Sequence, residues 1–443
     1  MAHPVEAFRN AFKIPELRQR IVFTLIMLAV YRLGAHVPTP GVNGIALAQV
    51  VKGAGGLLTF YDLFSGGAFA RATVFALGIM PYITASIIFS MLVHVIPALE
   101  RLAKEGQEGQ KKITEYTRYA TMLLCVIQSI GTAIYLEKLN LDSPGILTYT
   151  GPLFYLMCII SFTTGTAFIM WLGEQISEYG IGNGISLIIF TSIVSRMPTA
   201  FQRLVRMIAS KDLSVFQFGI LAGLLVCVVA GAILVTTGQR RVPVQYPRQV
   251  KGRRVAGSSR NYLPLRVNQA GVIPIIFASS ILMLPEMLAR VSTIDVVLNF
   301  VQEHLRWNGP MYNLCTALLI VFFSYFYTSM IFNPVEIADN MKKYGGVIVG
   351  VRPGKATAEY LHRVMNRVTL VGSAFLAAVA LLPSFVFTGL GVYDWGIVSF
   401  FGGTSLLILV GVALDTIRQI EQHLIMRHYD GFSPRGRRLR GRR

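Results

Sequence analysis

Few side chains in this 443-residue chain have the type and spacing to make or break a covalent bond. Cys125, Cys158, Cys227 and Cys315 each lie in an apolar run without Cys-x-x-Cys spacing, so they read as small buried hydrophobes, not as a metal site or a disulfide framework. The word Gly182-Asn183-Gly184 with its flanks invites comparison with a phosphate loop. It lacks the Lys-Ser/Thr ending, and is predicted to open a helix with Asn183 near the cap position. Ionisable groups within apolar runs are scarce. Arg32 and Asp415 both fall near the ends of their runs, where each can reach an interface, and a proton-coupled transporter would need more. No catalytic residue, metal or cofactor is expected. What remains is chemistry by exclusion: Ile79 and Ile83 flank Pro81 on one helical face, where they either pack against lipid and neighbours or line a dry, narrow passage.

The elements that position these isoleucines come from one stretch, residues 57–97, which reads as two segments joined at a glycine pair. Residues 57–70 are apolar but too short for the roughly 30 Å hydrocarbon core, which needs about 20 helical residues. That segment is expected to enter a membrane and stop. Residues 72–96 are long enough to cross, with Pro81 where a backbone bond is lost. A half-helix at membrane depth is tolerated only where protein shields it or where it lines a wet cavity, so a cavity is implied.

Composition agrees: 53% of the residues are hydrophobic and 14% charged, the balance of a polytopic membrane protein folded as one membrane domain. Apolar runs fall at 21–37, 72–96, 119–136, 152–172, a short fifth at 184–197, then 215–237, 268–289, 311–332, 368–387 and 400–425, which predicts ten all-α crossings. No cleavage pattern follows the first run, so it is expected to stay. The net charge of +19 is unevenly spread. With the N-terminus inside, the inner loops collect most Lys and Arg, and both termini are expected to be cytoplasmic. Two anomalies stand: residues 173–182 carry no Lys or Arg, while Arg196, Arg203, Arg206 and Lys211 fall outside. Ten crossings divide into five and five, which permits an inverted repeat. The expected divisions are an amphipathic N-terminus (1–20), a first half (21–200), a second half (201–425) with inner loops at about 238–266 and 334–366, and a basic tail (426–443).

Several words in the chain are similar to those of the bacterial SecY family. They are SGGA (65–68), ALGIMPYITASII (76–88), GEQISEYGIGNGIS (173–186), AGVIPIIFASSI (270–281), NPVEIADNMKK (333–343), RPG (352–354) and FGGTSLLI (401–408), and they run in family order. The resemblance implies two inverted five-helix halves around an hourglass, with a re-entrant plug half-helix. It implies a pore ring of Ile79, Ile83, Ile185, Ile189, Ile276 and Ile408, and a plug containing Leu58, Tyr61, Leu63, Phe64, Ser65, Gly66 and Gly67. It also implies a lateral gate at Thr84, Ser86, Ser279, Ser280 and Leu284, and a SecA- and ribosome-binding surface at Arg253, Arg254, Arg352 and Lys355. The function implied is a protein-conducting channel in the bacterial inner membrane, passing unfolded signal-bearing polypeptides and inserting transmembrane helices. SecE and SecG homologues, the SecA motor, ribosomes, preproteins and membrane lipids would be its partners. A secondary transporter with inverted repeats is the other reading. The chain departs from the family's pattern at Thr236-Thr237, where an acidic residue is usual, and at Val349, where a proline is usual.

Overall fold

The computed structural model describes residues 14–54, 62, 64–210, 214–246, 250–251, 254–255, 261–291, 301, 304, 309–389 and 402–430. The described residues form, in chain order, the helices α1 (Pro15–Gly34), α2 (Gly44–Ala54), α3 (Met80–Val95), α4 (Pro97–Lys104), α5 (Gln107–Asp142), α6 (Pro152–Tyr179), α7 (Gly184–Val194), α8 (Met197–Ala209), α9 (Val215–Thr237), α10 (Ile273–Val291), α11 (Pro310–Ile331), α12 (Pro334–Lys343), α13 (Lys355–Gly389) and α14 (Gly403–Asp430). Five short strands accompany them: β1 (Gln239–Gln245), β2 (Val250–Lys251), β3 (Arg254–Val255), β4 (Asn261–Arg266) and β5 (Val347–Ile348).

Among the described residues seven helices are long and apolar enough to cross a membrane, or eight if the bent pair α3 and α4 counts as one span. The expected ten exceed this. α1 carries Arg18, Arg20 and Arg32, and the apolar part of α10 is the short piece Ile273–Leu282. The crossing expected at 72–96 is also shorter than read, since the helix begins only at Met80. Residues 72–79 are instead tied sideways to an earlier loop: Thr39 N–H donates to Ala72 O (2.9 Å) and Val74 N–H to Val37 O (2.9 Å). Those bonds replace helical ones. Pro81 therefore lies in the first turn of α3, where its missing N–H is not needed. At its other end α3 meets α4 at a bend of 97°.

Several helices outrun the apolar windows that announce them. α5 has 36 residues and α13 has 35, because a helix continues along polar flanks that a hydropathy window ignores. α8 was expected as an outer loop. It is an amphipathic helix that takes up Arg203 and Arg206, with Arg196 at its N-cap, which accounts for that basic anomaly.

One buried cluster joins residues from α1 through α14, including Tyr31, Phe75, Phe154, Phe162, Ile275 and Leu407. Tight helix contact inside it depends on small residues. A Cβ on Gly184 would lie 1.9 Å from Gly173 O, so α7 can lie against α6 only with glycine there.

The two polar segments expected as separate loops fold together. β1 pairs antiparallel with β4 from Gln239↔Arg266 to Val244↔Asn261, and β5 joins its other side at Val244↔Ile348, giving the order β4-β1-β5. Alternation along β1 turns Val242 and Val244 inward, where they meet Leu265, Ile348, Met341, Leu361 and Met365 in a second, smaller core. β2 and β3 make a separate antiparallel pair.

Candidate functional site

The six isoleucines singled out by sequence belong to four helices that contact one another. Ile79 caps α3, and Ile83 follows one turn later on the same face. Ile185 and Ile189 are on α7, Ile276 on α10 and Ile408 on α14. Ile79, Ile83, Ile189, Ile276 and Ile408 are buried members of the main cluster, and Ile185 is half-buried against it. The helices touch in sequence, α3 against α10, α10 against α14, and α14 against α7. A constriction lined by such branched alkyl groups would offer no hydrogen bond to water or to ions. When narrow it stays dry.

Beside it sits the glycine turn. Phe64 and Ser65 are buried, and a Cβ on Gly78 would lie 3.5 Å from Ser65 Cα, so the turn rests on the residue next to Ile79. Ser65 Oγ donates to Asp62 O (3.1 Å) and accepts from Phe69 N–H (3.1 Å), which closes the turn on itself. Gly66 and Gly67 have φ of 67° and 92°, conformations that glycine supplies without strain. Leu58, Tyr61 and Leu63 lie outside the described residues.

Sequence reading missed the polar groups that hold this turn. Asp62 is buried and ion-paired with Arg196, which had been assigned to an outer loop. Arg32 is half-buried and donates to Gly66 O (3.1 Å). Tyr31 shares a hydrogen bond of 2.6 Å with Ser192. A lone Asp inside an apolar segment was the available signal, since a buried carboxylate requires a partner.

Asn183 behaves as its position predicted: it is the N-cap of α7, its side chain accepting from Ser186 N–H (3.1 Å). The neighbouring segment without Lys or Arg is largely the last two turns of α6, and both carboxylate oxygens of Glu174 there accept from Arg118 of α5 (2.9 and 2.8 Å). Asp415 is exposed at the mouth of a cavity of about 260 Å³ lined also by Asn183, Arg266 and Arg418. Cys125 and Cys158 are buried as expected, whereas Cys227 is exposed; all four cysteines are free.

Of the residues expected at a lateral gate, Thr84 and Ser86 are on α3 and Ser279 and Ser280 on α10, two helices in contact. Thr84 Oγ1 donates to Met80 O (3.1 Å), Ser279 Oγ to Ile275 O (2.8 Å) and Ser280 Oγ to Ile276 O (2.8 Å), so each of these hydroxyls serves its own helix. Leu284 lies further along α10. Elsewhere, Arg352 and Lys355 are exposed beside β5, and Arg352 O accepts from Thr357 Oγ1 (2.8 Å). Val349 is exposed between β5 and Gly350, and a Val351 N–H to Ile348 O bond (3.1 Å) closes the turn there without the usual proline. Thr236 O accepts from Arg418 (2.6 Å). Arg254 is in β3, and Arg253 lies outside the described residues. Among the described residues no group of His, Cys, Asp and Glu could hold a metal ion.

Fold and site together define a polytopic helical membrane protein with a channel architecture. Solved structures bear this out for the fold: a protein-conducting channel covers 94% of this chain and 94% of its own at TM-score 0.63 and 16% identity, and Sec61 in the canine ribosome-channel complex covers the same shares at TM-score 0.62 and 15% identity. Sequence comparison is more specific. The SecY family pattern matches residues 73–417. The protein translocase subunit SecY of Thermotoga maritima is 45% identical over 99% of this chain and 100% of its own length, and that of Thermus thermophilus is 43% identical over 99% of each. The chain belongs to the SecY family. It is a channel subunit, not an enzyme, and the solute-transporter reading is not favoured.

Proposed function

We propose that the chain passes unfolded, signal-bearing polypeptides across the bacterial inner membrane through a ring formed by Ile79, Ile83, Ile185, Ile189, Ile276 and Ile408. The observation that supports this reading is that five of these side chains, from α3, α7, α10 and α14, belong to one buried cluster with Ile185 packed against it, and that the Phe64–Ser65 turn lies against Gly78, next to Ile79. An alkyl ring yields to any side chain because it makes no sequence-specific hydrogen bond, and excludes ions when it closes. Residues 57–68, with the Gly66-Gly67 joint, act as the plug. Residues 21–200 and 201–425 act as two inverted halves. Apolar segments leave for lipid between α3 and α10, at a seam marked by Thr84, Ser86, Ser279, Ser280 and Leu284, where the Thr84, Ser279 and Ser280 hydroxyls each donate within their own helix.

Both termini face the cytoplasm, as the Lys and Arg distribution favours. On that side the sheet of β4, β1 and β5 presents Arg352 and Lys355, and with Arg253 and Arg254 these dock the SecA motor or a ribosome. A Sec61 channel has been solved in a ribosome complex, which supports the second partner. Contact with ribosomal RNA would be electrostatic and salt-sensitive, without base readout. SecE and SecG homologues complete the complex. Ile276→Asn and Ile408→Asn test the ring: each is expected to raise resting ion conductance several-fold and to admit preproteins with weakened signals. Unchanged conductance and unchanged signal selection in chains of normal abundance would remove the ring.

A further inference from the structure

The glycine turn beside the isoleucines is gripped by more polar contacts than an apolar plug needs. Asp62, its side chain 3% exposed, is ion-paired with Arg196 at the break between α7 and α8. The Asp62 carboxylate also accepts from Ala70 N–H (2.8 Å), and Asp62 O from Gly67 N–H (3.0 Å), so one residue organises the turn and its anchor together. A second grip comes from α1. Arg32 donates to Gly66 O (3.1 Å), while the Tyr31 hydroxyl lies 2.6 Å from Ser192 Oγ and 3.5 Å from Ser65 O. Clearance is small: a Cβ on Gly66 would lie 3.1 Å from both Arg32 Nη1 and Ser192 Cα.

A buried ion pair contributes little compared with an apolar packing of the same shape, but losing one partner is costly because the other charge remains buried. Displacing the turn withdraws Asp62 while Arg196 stays with α7 and α8. The penalty for unseating is thus concentrated in one pair, where an apolar plug would spread it over many weak contacts.

We propose that Asp62 and Arg196 form a polar latch, with Arg32 and the Tyr31–Ser192 pair as its second grip, and that the latch sets how strongly a signal segment must bind before the channel opens. This rests on the reading of residues 57–68 as the plug. A pair with a purely structural role would lower the amount of folded protein and leave the conductance of folded channels unchanged.

The test uses the full chain in its membrane complex, reconstituted in planar bilayers, with export of preproteins carrying weakened signals measured in parallel. Asp62→Asn and Arg196→Gln are expected to raise resting conductance about tenfold and to admit the weakened signals. The exchanged variant, Asp62→Arg with Arg196→Asp, is expected to return conductance toward that of the parent. Asp62→Asn retains the side-chain shape and an oxygen for Ala70 N–H, so it decides the matter if the exchanged chain fails to accumulate. Deletion of residues 57–68 separates the two ideas. Leak in the deletion with both single variants as tight as the parent overturns the latch and leaves the plug; a deletion that leaves conductance unchanged overturns both.

Discussion

At the scale of single residues, position relative to a helix end decides most of what the side chains do. Asn183 caps α7, and its amide oxygen satisfies a backbone N–H that the helix itself cannot. Asn183→Ala should cost about 1 kcal/mol of stability, and Asn183→Ser should retain most of it. Thermal unfolding of the detergent-solubilised chain measures the difference; an unchanged midpoint in the alanine variant would show that water caps the helix equally well. Asn183 was legible because a short polar residue stood between two glycines just ahead of an apolar run. Arg196 was not. A single basic residue after an apolar segment has the same local sequence whether it faces solvent or a carboxylate, and Asp62 lies more than a hundred positions earlier. Only the tertiary fold brings the two together. The isoleucines fall between these cases: periodicity put Ile79 and Ile83 on one face, whereas grouping them with Ile276 and Ile408, which share their buried cluster, followed from family resemblance alone.

At the scale of elements, hydropathy located the apolar helices well where both ends were abrupt. The run 215–237 coincides with α9 because Ser214 and Gln217 form a capping box at one end and Gly238 follows the other. Where a helix continues into charged sequence, as α5 and α13 do, the apolar window gives only its middle. The three-stranded sheet was hidden for a different reason. Its third strand, β5, lies about a hundred residues after β1 and has only two residues, too short to declare itself without its partner. β5 ties the start of the Arg352 segment to the sheet. Arg352 projects its side chain outward while its carbonyl is held by Thr357, so reversing its charge leaves the loop's hydrogen bond in place. Arg352→Glu is expected to lower motor-driven export about tenfold or more at normal abundance, with a larger defect at low salt than at high salt. Export at the parental rate across that salt range would move the docking surface elsewhere.

At the scale of the whole molecule, the arrangement resolves a physical conflict. A membrane seal favours continuous apolar packing, whereas a translocating peptide brings polar backbone and charged side chains through the same point. On the proposed reading, a thin collar of alkyl groups limits how much of the passing chain is desolvated at once. The same economy explains why so few ionisable residues lie inside the spans, and why the polar grip of Asp62, Arg196 and Arg32 is placed on the turn beside the collar and not in it. The membrane class and the order of the family words were plain from sequence. The crossing number was less so, because α1 is charged, α10 is only briefly apolar, and α3 ends in a bend. The central claim is that a polypeptide in transit touches the isoleucines of α3 and α10 together. Site-directed crosslinking of a stalled preprotein, with photoreactive groups at positions 83 and 276, measures this directly. The account predicts adducts from both positions to the same short stretch of the stalled chain, lost when the substrate is released; labelling of lipid from both positions, with none of the preprotein, would contradict it.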